Sequence, residues 1–358
     1  MYEKELNALK KANRFRERKI FDDDLIDFAS NDYLGLASSK KQFEKAVKWV
    51  SNYKTHAPKA SMLVNGYHEV HEDFERALAF INGFEKGLVV GSGFLANMTL
   101  IESLVRKKDM LFIDEDYHAS GMMAINLLDK RAVKFRHNDA SSLEDMLKKH
   151  TIGRKIIAVE GVYSMSGELC SREIFDLADR YEAILIVDEA HSSGVIGDTL
   201  LGIFEYYNIK PQPNHIKMGT LGKAYGSYGA YILASLEIIS FLENRGKPII
   251  YSTAPSIFDT ALALVNIHEV ANNSNKYYKK IKERQKIVKD IMGVELKSLI
   301  FPLKVPTNEQ TLKLQKALMV YGYLVGAIRQ PTVKEPILRI IPRLGTSKKA
   351  LKSLLNHF

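Results

Sequence analysis

The chain has 358 residues, 46% of them hydrophobic and 26% charged, with a formal net charge of +9. That balance belongs to a globular protein with a sizeable core, as one large domain or two of ordinary size. Its one cysteine, Cys170, excludes an internal disulfide framework and points to a reducing, cytoplasmic setting, and no apolar run approaches the roughly 20 residues of a membrane helix.

The N-terminal "MYEKELNALKKANRFRERK" lacks the apolar core of a signal peptide and reads as a basic amphipathic helix. "KYYKKIKERQK" at 276–286 reads as a solvated helix face, so nucleic acid is not expected as a partner. "GYHEVHEDFE" sets His68 and His71 among acids. Their i, i+3 spacing is not that of H-E-x-x-H and no cysteine assists, so the stretch predicts a helix start with exposed polar groups and no metal.

From about residue 84 to 235, short apolar runs alternate with helical patterns: "KGLVV", "MLFID", "KIIAVEG" and "AILIVDEA" are the runs. Continuous β-branched runs between helices predict a mostly parallel sheet covered on both faces. In such sheets ligands bind beyond the carboxyl ends of the strands. Those ends read "VGSG", "DEDYH", "EGVYS" and "DEAH". After residue 250 a helical stretch, 256–292, leads into "SLIFPLKV", "YLVGAIRQ" and "ILRIIPR", short strands of a smaller α/β layer. The expected organisation is an N-terminal arm (1–45), a large domain (46–250) and a small C-terminal domain (251–358).

"VGSGFLAN" sets Gly91, Gly93 and Ala96 in the G-x-G-x-x-A pattern, and Asp114 ends the next strand. A nicotinamide-dependent dehydrogenase would use both; a phosphate on amides at a helix N-terminus follows on either reading. "VDEAH" (187–191) matches a helicase magnesium box, but neither Gly222-Lys223 nor Gly246-Lys247 completes a phosphate loop, and both lie downstream. The helicase reading fails.

Taken together, the strand ends describe one ligand. Asp188 follows a fully apolar strand, where a carboxylate is costly unless a positive group meets it. His191 is three residues on; Lys223 sits in the glycine-rich "TLGKAYG" with Thr220 beside it; Ser164 offers a hydroxyl and His118 a flat ring. A phosphate, an aromatic nitrogen needing a carboxylate and an aldehyde needing an amine are the parts of pyridoxal phosphate. A dehydrogenase would leave Lys223, Asp188 and His191 without roles.

Over nearly its whole length the chain resembles the α-oxoamine synthase family of fold-type-I pyridoxal phosphate enzymes. The resemblance rests on "FASNDYLGL", "LVNGYHEVHEDFE", "GSGFLAN", "YHAS", "EGVYSMSG", "VDEAHSSGVIG", "TLGKAYG", "YSTAP" and "VGAIRQPTV". It implies that Lys223 forms the Schiff base and later moves a substrate Cα proton. It implies Asp188 at the pyridine nitrogen, His191 at the phenolic oxygen and His118 stacked on the ring. Gly93 and Phe94 would offer amides, Ser164 and Thr220 hydroxyls, and Ser252 and Thr253 would reach the phosphate of the partner subunit in a homodimer. Asn31 and Glu160 would shape the pocket, Arg329 and Arg339 would take substrate carboxylates, and Arg16 and Thr332 would line the acyl-donor entrance.

Within the family the motifs favour the member that condenses L-alanine with pimeloyl-CoA or pimeloyl-acyl carrier protein, losing carbon dioxide. The alternative is another member, such as glycine C-acetyltransferase. The chain departs from the family at "APKASM" (57–62), where an expected arginine contact is either lost or replaced by Lys59, at Gln330 in "IRQPT", and at "MSGELC". These departures touch acyl-chain and carrier contacts rather than the cofactor's partners.

Overall fold

The computed structural model describes residues 1–358. A two-residue strand, Ile26–Asp27 (β1), precedes seven strands: Lys86–Val90 (β2), Met110–Asp114 (β3), Ala132–Phe135 (β4), Lys155–Glu160 (β5), Ile184–Asp188 (β6), His215–Thr220 (β7) and Ala230–Ala234 (β8). Four short strands follow: Phe301–Lys304 (β9), Tyr323–Leu324 (β10), Gly326–Ile328 (β11) and Ile337–Ile340 (β12). The chain forms two compact units. One comprises 34–164 and 168–279, the other 1–33, 165–167 and 280–358.

The larger unit is built on the seven-stranded sheet, in the order β2-β8-β7-β6-β5-β3-β4. All pairs are parallel except those of β8, which runs antiparallel to both β2 and β7. The four apolar runs read as strands are β2, β3, β5 and β6. Three strands escape that reading. β4 is an edge strand with little buried surface, and Lys217 and Gly219 interrupt the apolar run of β7. β8 is apolar throughout, but only five residues long.

Ile156, Ala158, Ile186, Ile216, Met218 and Ile232 pack one face of the sheet against the helix Gly93–Leu104. Each such aliphatic residue contributes about 1.5–3 kcal/mol on leaving water. Register then aligns the carboxyl ends: Glu160 stands opposite Asp188, and Asp188 opposite Met218, two residues before Thr220. Sheet pairing alone therefore gathers three functional groups at one edge.

The helical stretch expected over 256–292 is two helices, Ile257–Asn272 and Ser274–Met292. They break at Asn273, whose side chain bonds back to the Glu269 carbonyl at 3.0 Å instead of continuing the turn. Ile257 and Ala261 pack with Val50 and Val70, so the first of these helices belongs to the larger unit.

The smaller unit carries an antiparallel sheet in the order β11-β12-β9, and β1 pairs in parallel with β10. Phe28, Val288, Phe301, Val325, Leu338, Ile340 and Leu351 form its core. Arg343 ties it together through Asp27 and Asp32. The N-terminal helix is shorter than its sequence suggests. It covers Glu3–Lys11 with no buried residue, because Asn13 takes a positive φ of 52°.

Candidate active site

The lysine turn is shaped by its glycines unequally. Gly226 has φ +53°, and a Cβ there would lie 2.5 Å from the Ala37 nitrogen. Only glycine fits both the left-handed backbone and that approach. At Gly222 the nearest atom to an added Cβ is at 3.5 Å, so this position is open. Leu221 exchanges backbone bonds with Gly229 and Ser227, which fixes the turn's base. Within it the half-buried Lys223 points its amine at His191, Nζ to Nε2 2.9 Å.

Asp188, at the end of β6, is buried. Its Oδ1 accepts the Ala190 amide at 2.9 Å and its Oδ2 accepts Asn97 Nδ2 at 2.9 Å. Asn97 in turn donates to Ser120 Oγ and accepts the Tyr117 hydroxyl at 2.7 Å. The ring of His118 caps the short helix Ala119–Ala124, its Nδ1 accepting the Ser120 amide at 3.3 Å. Partial burial, then the Lys223 charge, hold His118 below the ordinary imidazole range, against the pull of Asp188.

Glu160, at the end of β5, is buried with its Oε2 accepting the Ser164 amide at 2.9 Å and its Oε1 unpartnered. Burial, then the neighbouring Asp188, push its carboxyl up to about 8. A carboxyl in that range donates or accepts according to its surroundings.

Ser92 caps the helix Gly93–Leu104, accepting the Leu95 amide at 3.2 Å. The Gly93 and Phe94 amides lie ahead of the first helical bond, where a helix N-terminus receives an anion. Thr220 donates its hydroxyl to the Gly229 carbonyl at 3.1 Å. Ser252 and Thr253 line a small crevice together with Gly91 and Leu95 of the same chain.

The remaining expected residues lie in the smaller unit, in three linked pairs. Arg16 Nη2 donates to Thr332 Oγ1 at 3.0 Å. Arg329 donates to the Asn13 carbonyl at 2.6 Å and the Phe15 carbonyl at 3.4 Å, tying down the N-terminal segment. The buried Arg339 donates to Asn31 Oδ1 at 2.8 Å. Gln330, the departure in that loop, bonds Asn308 and the Lys334 carbonyl.

One expectation is corrected. His71 is not an exposed polar group: it is fully buried, its Nδ1 accepts the His68 amide at 3.1 Å and its Nε2 faces the Pro255 carbonyl at 2.9 Å. The two histidines cap the helix Glu69–Asn82 reciprocally, which explains their i, i+3 spacing. Asp114, which the rejected dehydrogenase reading would have used, is engaged within the chain. It is buried and accepts from the Tyr163 hydroxyl and the Asn138 amide, and it bonds His137. Sequence reasoning gave no role to Asn97, Tyr117 or Ser120; their places in "GSGFLAN" and "YHAS" were the signals that could have found them.

A family model, aminotransferase class I and II, matches residues 23–358. Two 8-amino-7-oxononanoate synthases from Helicobacter pylori strains are 43% and 42% identical, each covering 99% of this chain and 96% of its own. The 8-amino-7-oxononanoate synthase structure from Francisella tularensis superposes with a TM-score of 0.76 at 26% identity, covering 94% of this chain and 97% of that one. Serine palmitoyltransferase from Sphingomonas wittichii, at 24% identity and a TM-score of 0.85 over 93% of this chain and 86% of that one, shares the fold. The chain belongs to the aminotransferase class I and II family, and within it to the 8-amino-7-oxononanoate synthases.

Proposed function

We propose that this chain condenses L-alanine with a pimeloyl thioester, with loss of carbon dioxide, to give 8-amino-7-oxononanoate for biotin synthesis. The observation that carries the reading is the Lys223 amine held 2.9 Å from His191 in a glycine-shaped turn, at the same sheet edge as the buried carboxylate of Asp188.

These residues fit pyridoxal phosphate. A buried carboxylate braced by Asn97 calls for a positive partner, which a protonated pyridine nitrogen supplies. The uncapped amides of Gly93 and Phe94 suit the phosphate, with Ser164 and Thr220 as further polar contacts. When bound, the cofactor provides an electron-accepting ring that makes an amino acid's Cα proton acidic.

The chain's own groups do the rest. Lys223 would hold the cofactor through its amine, which His191 orients, and would move the substrate's Cα proton. Asp188 would meet the pyridine nitrogen and keep it protonated, and His118 would lie against the ring. Glu160 would lie on the cofactor side of the site, and the resemblance gives Asn31 a part in substrate binding. Arg339 and Arg329 bind substrate carboxylates by their two-pronged guanidinium groups, and Arg16 and Thr332 line the way in for the acyl donor.

The active species is a homodimer in which Ser252 and Thr253 reach the phosphate of the partner subunit. Lys10, Lys11, Arg14 and Arg18 favour an acidic donor, coenzyme A or acyl carrier protein, by complementary charge. No helix is long and apolar enough to cross a membrane. The cytoplasm is the proposed compartment, a single cysteine suiting a reducing setting.

The test is the visible absorption spectrum with pyridoxal phosphate, before and after L-alanine, glycine and L-serine in separate samples. A cofactor band that shifts most with L-alanine supports the reading. A shift chiefly with glycine moves the assignment to a relative such as glycine C-acetyltransferase. No band overturns it.

A further inference from the structure

We infer that His137 is a positioning residue: gripped between Asp114 and Glu168, it holds the stem of the hairpin that presents Glu160 and Ser164 at the sheet edge. Its Nδ1 lies 2.9 Å from Asp114 Oδ1 and its Nε2 3.1 Å from Glu168 Oε2. The two carboxylates belong to different elements. Asp114 ends β3, and Glu168 lies on the return limb of the hairpin, where its carbonyl accepts the Tyr163 amide at 2.9 Å.

The outgoing limb is held at the same point. The Tyr163 hydroxyl donates to Asp114 Oδ2 at 2.7 Å, and its ring meets that of His137 edge-on with centroids 4.3 Å apart. Ser164 is the next residue, and its amide reaches Glu160. Asn138, at φ 52°, adds a second fastening: its Nδ2 donates to the Leu169 carbonyl and its Oδ1 accepts the Ser171 amide. A turn of two residues thus secures both limbs of the hairpin to the sheet.

Two carboxylates on two ring nitrogens require both nitrogens to donate, which only the imidazolium does. The groups facing the ring are Asp114, Asp116, Glu168 and the Tyr163 hydroxyl. The hydrogen bond to Asp114, outweighing burial, raises His137 to about 9. The clamp is therefore closed at neutral pH and loses one of its two bonds as pH rises through about 9. Asn138 and Tyr163 keep the chain folded when it does.

This inference rests on the reading of Ser164 and Glu160 as cofactor-side residues. It is tested on the full-length protein by hydrogen–deuterium exchange at the Tyr163 and Cys170 amides, with pyridoxal phosphate affinity measured in parallel by absorbance titration. His137→Phe should speed exchange at both amides and weaken the cofactor, each about tenfold. His137→Gln, whose amide nitrogen donates to one carboxylate while its carbonyl oxygen donates to neither, keeps one of the two bonds and should recover part of each. Wild-type protection, corrected for the intrinsic rate, should fall as pH rises through about 9, and the His137→Gln variant should lose that fall.

Unchanged exchange in His137→Phe, or an acceleration spread evenly over the chain, would overturn the clamp. Faster hairpin exchange with unchanged cofactor affinity would overturn its role in positioning. Ser164→Ala separates the two levels. If it weakens cofactor binding while His137→Phe does not, the site reading stands and the clamp fails. If His137→Phe weakens binding while Ser164→Ala does not, the clamp stands and Ser164 loses its role.

Discussion

His191 Nε2 and Lys223 Nζ are 2.9 Å apart, although they come from different turns at the ends of neighbouring strands. When the lysine is charged it donates to the ring, so the histidine proton sits on Nδ1. The histidine thereby fixes where the amine points before any ligand arrives.

Replacing Lys223 by alanine leaves the turn's backbone bonds intact. The variant should fold, melt near the wild-type temperature and bind pyridoxal phosphate noncovalently, with no condensation activity. Steady-state turnover together with the absorption spectrum checks this; measurable turnover would remove Lys223 as the base.

Gly226 and Gly222 should respond differently to alanine. At Gly226 a Cβ meets backbone at 2.5 Å under a positive φ, so Gly226→Ala should cost about 1–3 kcal/mol and displace the lysine. Gly222→Ala meets nothing closer than 3.5 Å and should stay within about 0.5 kcal/mol of wild type. Urea unfolding of the two variants decides it.

Asn97→Ala removes a bridge between Asp188, Ser120 and the Tyr117 hydroxyl. Leaving buried partners unsatisfied should cost about 1–3 kcal/mol. Because Asp188 loses its brace, cofactor affinity should fall as well. Asn97→Asp should weaken cofactor binding more than Asn97→Ala, by placing a second negative charge against Asp188. The readout is a cofactor titration beside thermal melting.

The stability of the cofactor-free protein should be trimmed at both ends of the pH range. Glu160 is raised to about 8. The folded state holds its proton after the unfolded chain has lost it, so this contribution is full below the ordinary carboxylate pKa and is lost as pH rises through about 8. His71 is lowered to about 4, by burial first. Its contribution is present above the ordinary imidazole pKa and lost as pH falls through about 4. Glu160→Gln should flatten the fall in stability below about pH 8 in denaturation measured from pH 5 to 9, and an unaltered slope would remove Glu160 as its source.

Much of the site was legible because its residues sit where periodicity ends. Asp188 and Glu160 follow apolar runs, and Lys223 interrupts a glycine pattern. Such discontinuities are visible along the chain. Asn97, Tyr117 and Ser120 were not, since each looks like an ordinary helix or turn residue until strand register brings them together. His71 misled for the opposite reason. Its acidic neighbours read as surface, while the helix it caps turns it inward.

The sequence by itself determined the parallel-sheet architecture, the strand ends as the place of the candidate site, and the lysine, carboxylate and histidine proposed for it. These follow from local pattern, because hydrophobic period and turn residues act over a few positions. Only the tertiary structure decided that His191 faces Lys223, that Asn97 braces Asp188, and that His137 joins the end of β3 to a hairpin far along the chain. Those are contacts between segments well separated in sequence, set by strand order and register, and no local pattern encodes which distant side chain will satisfy a buried polar group.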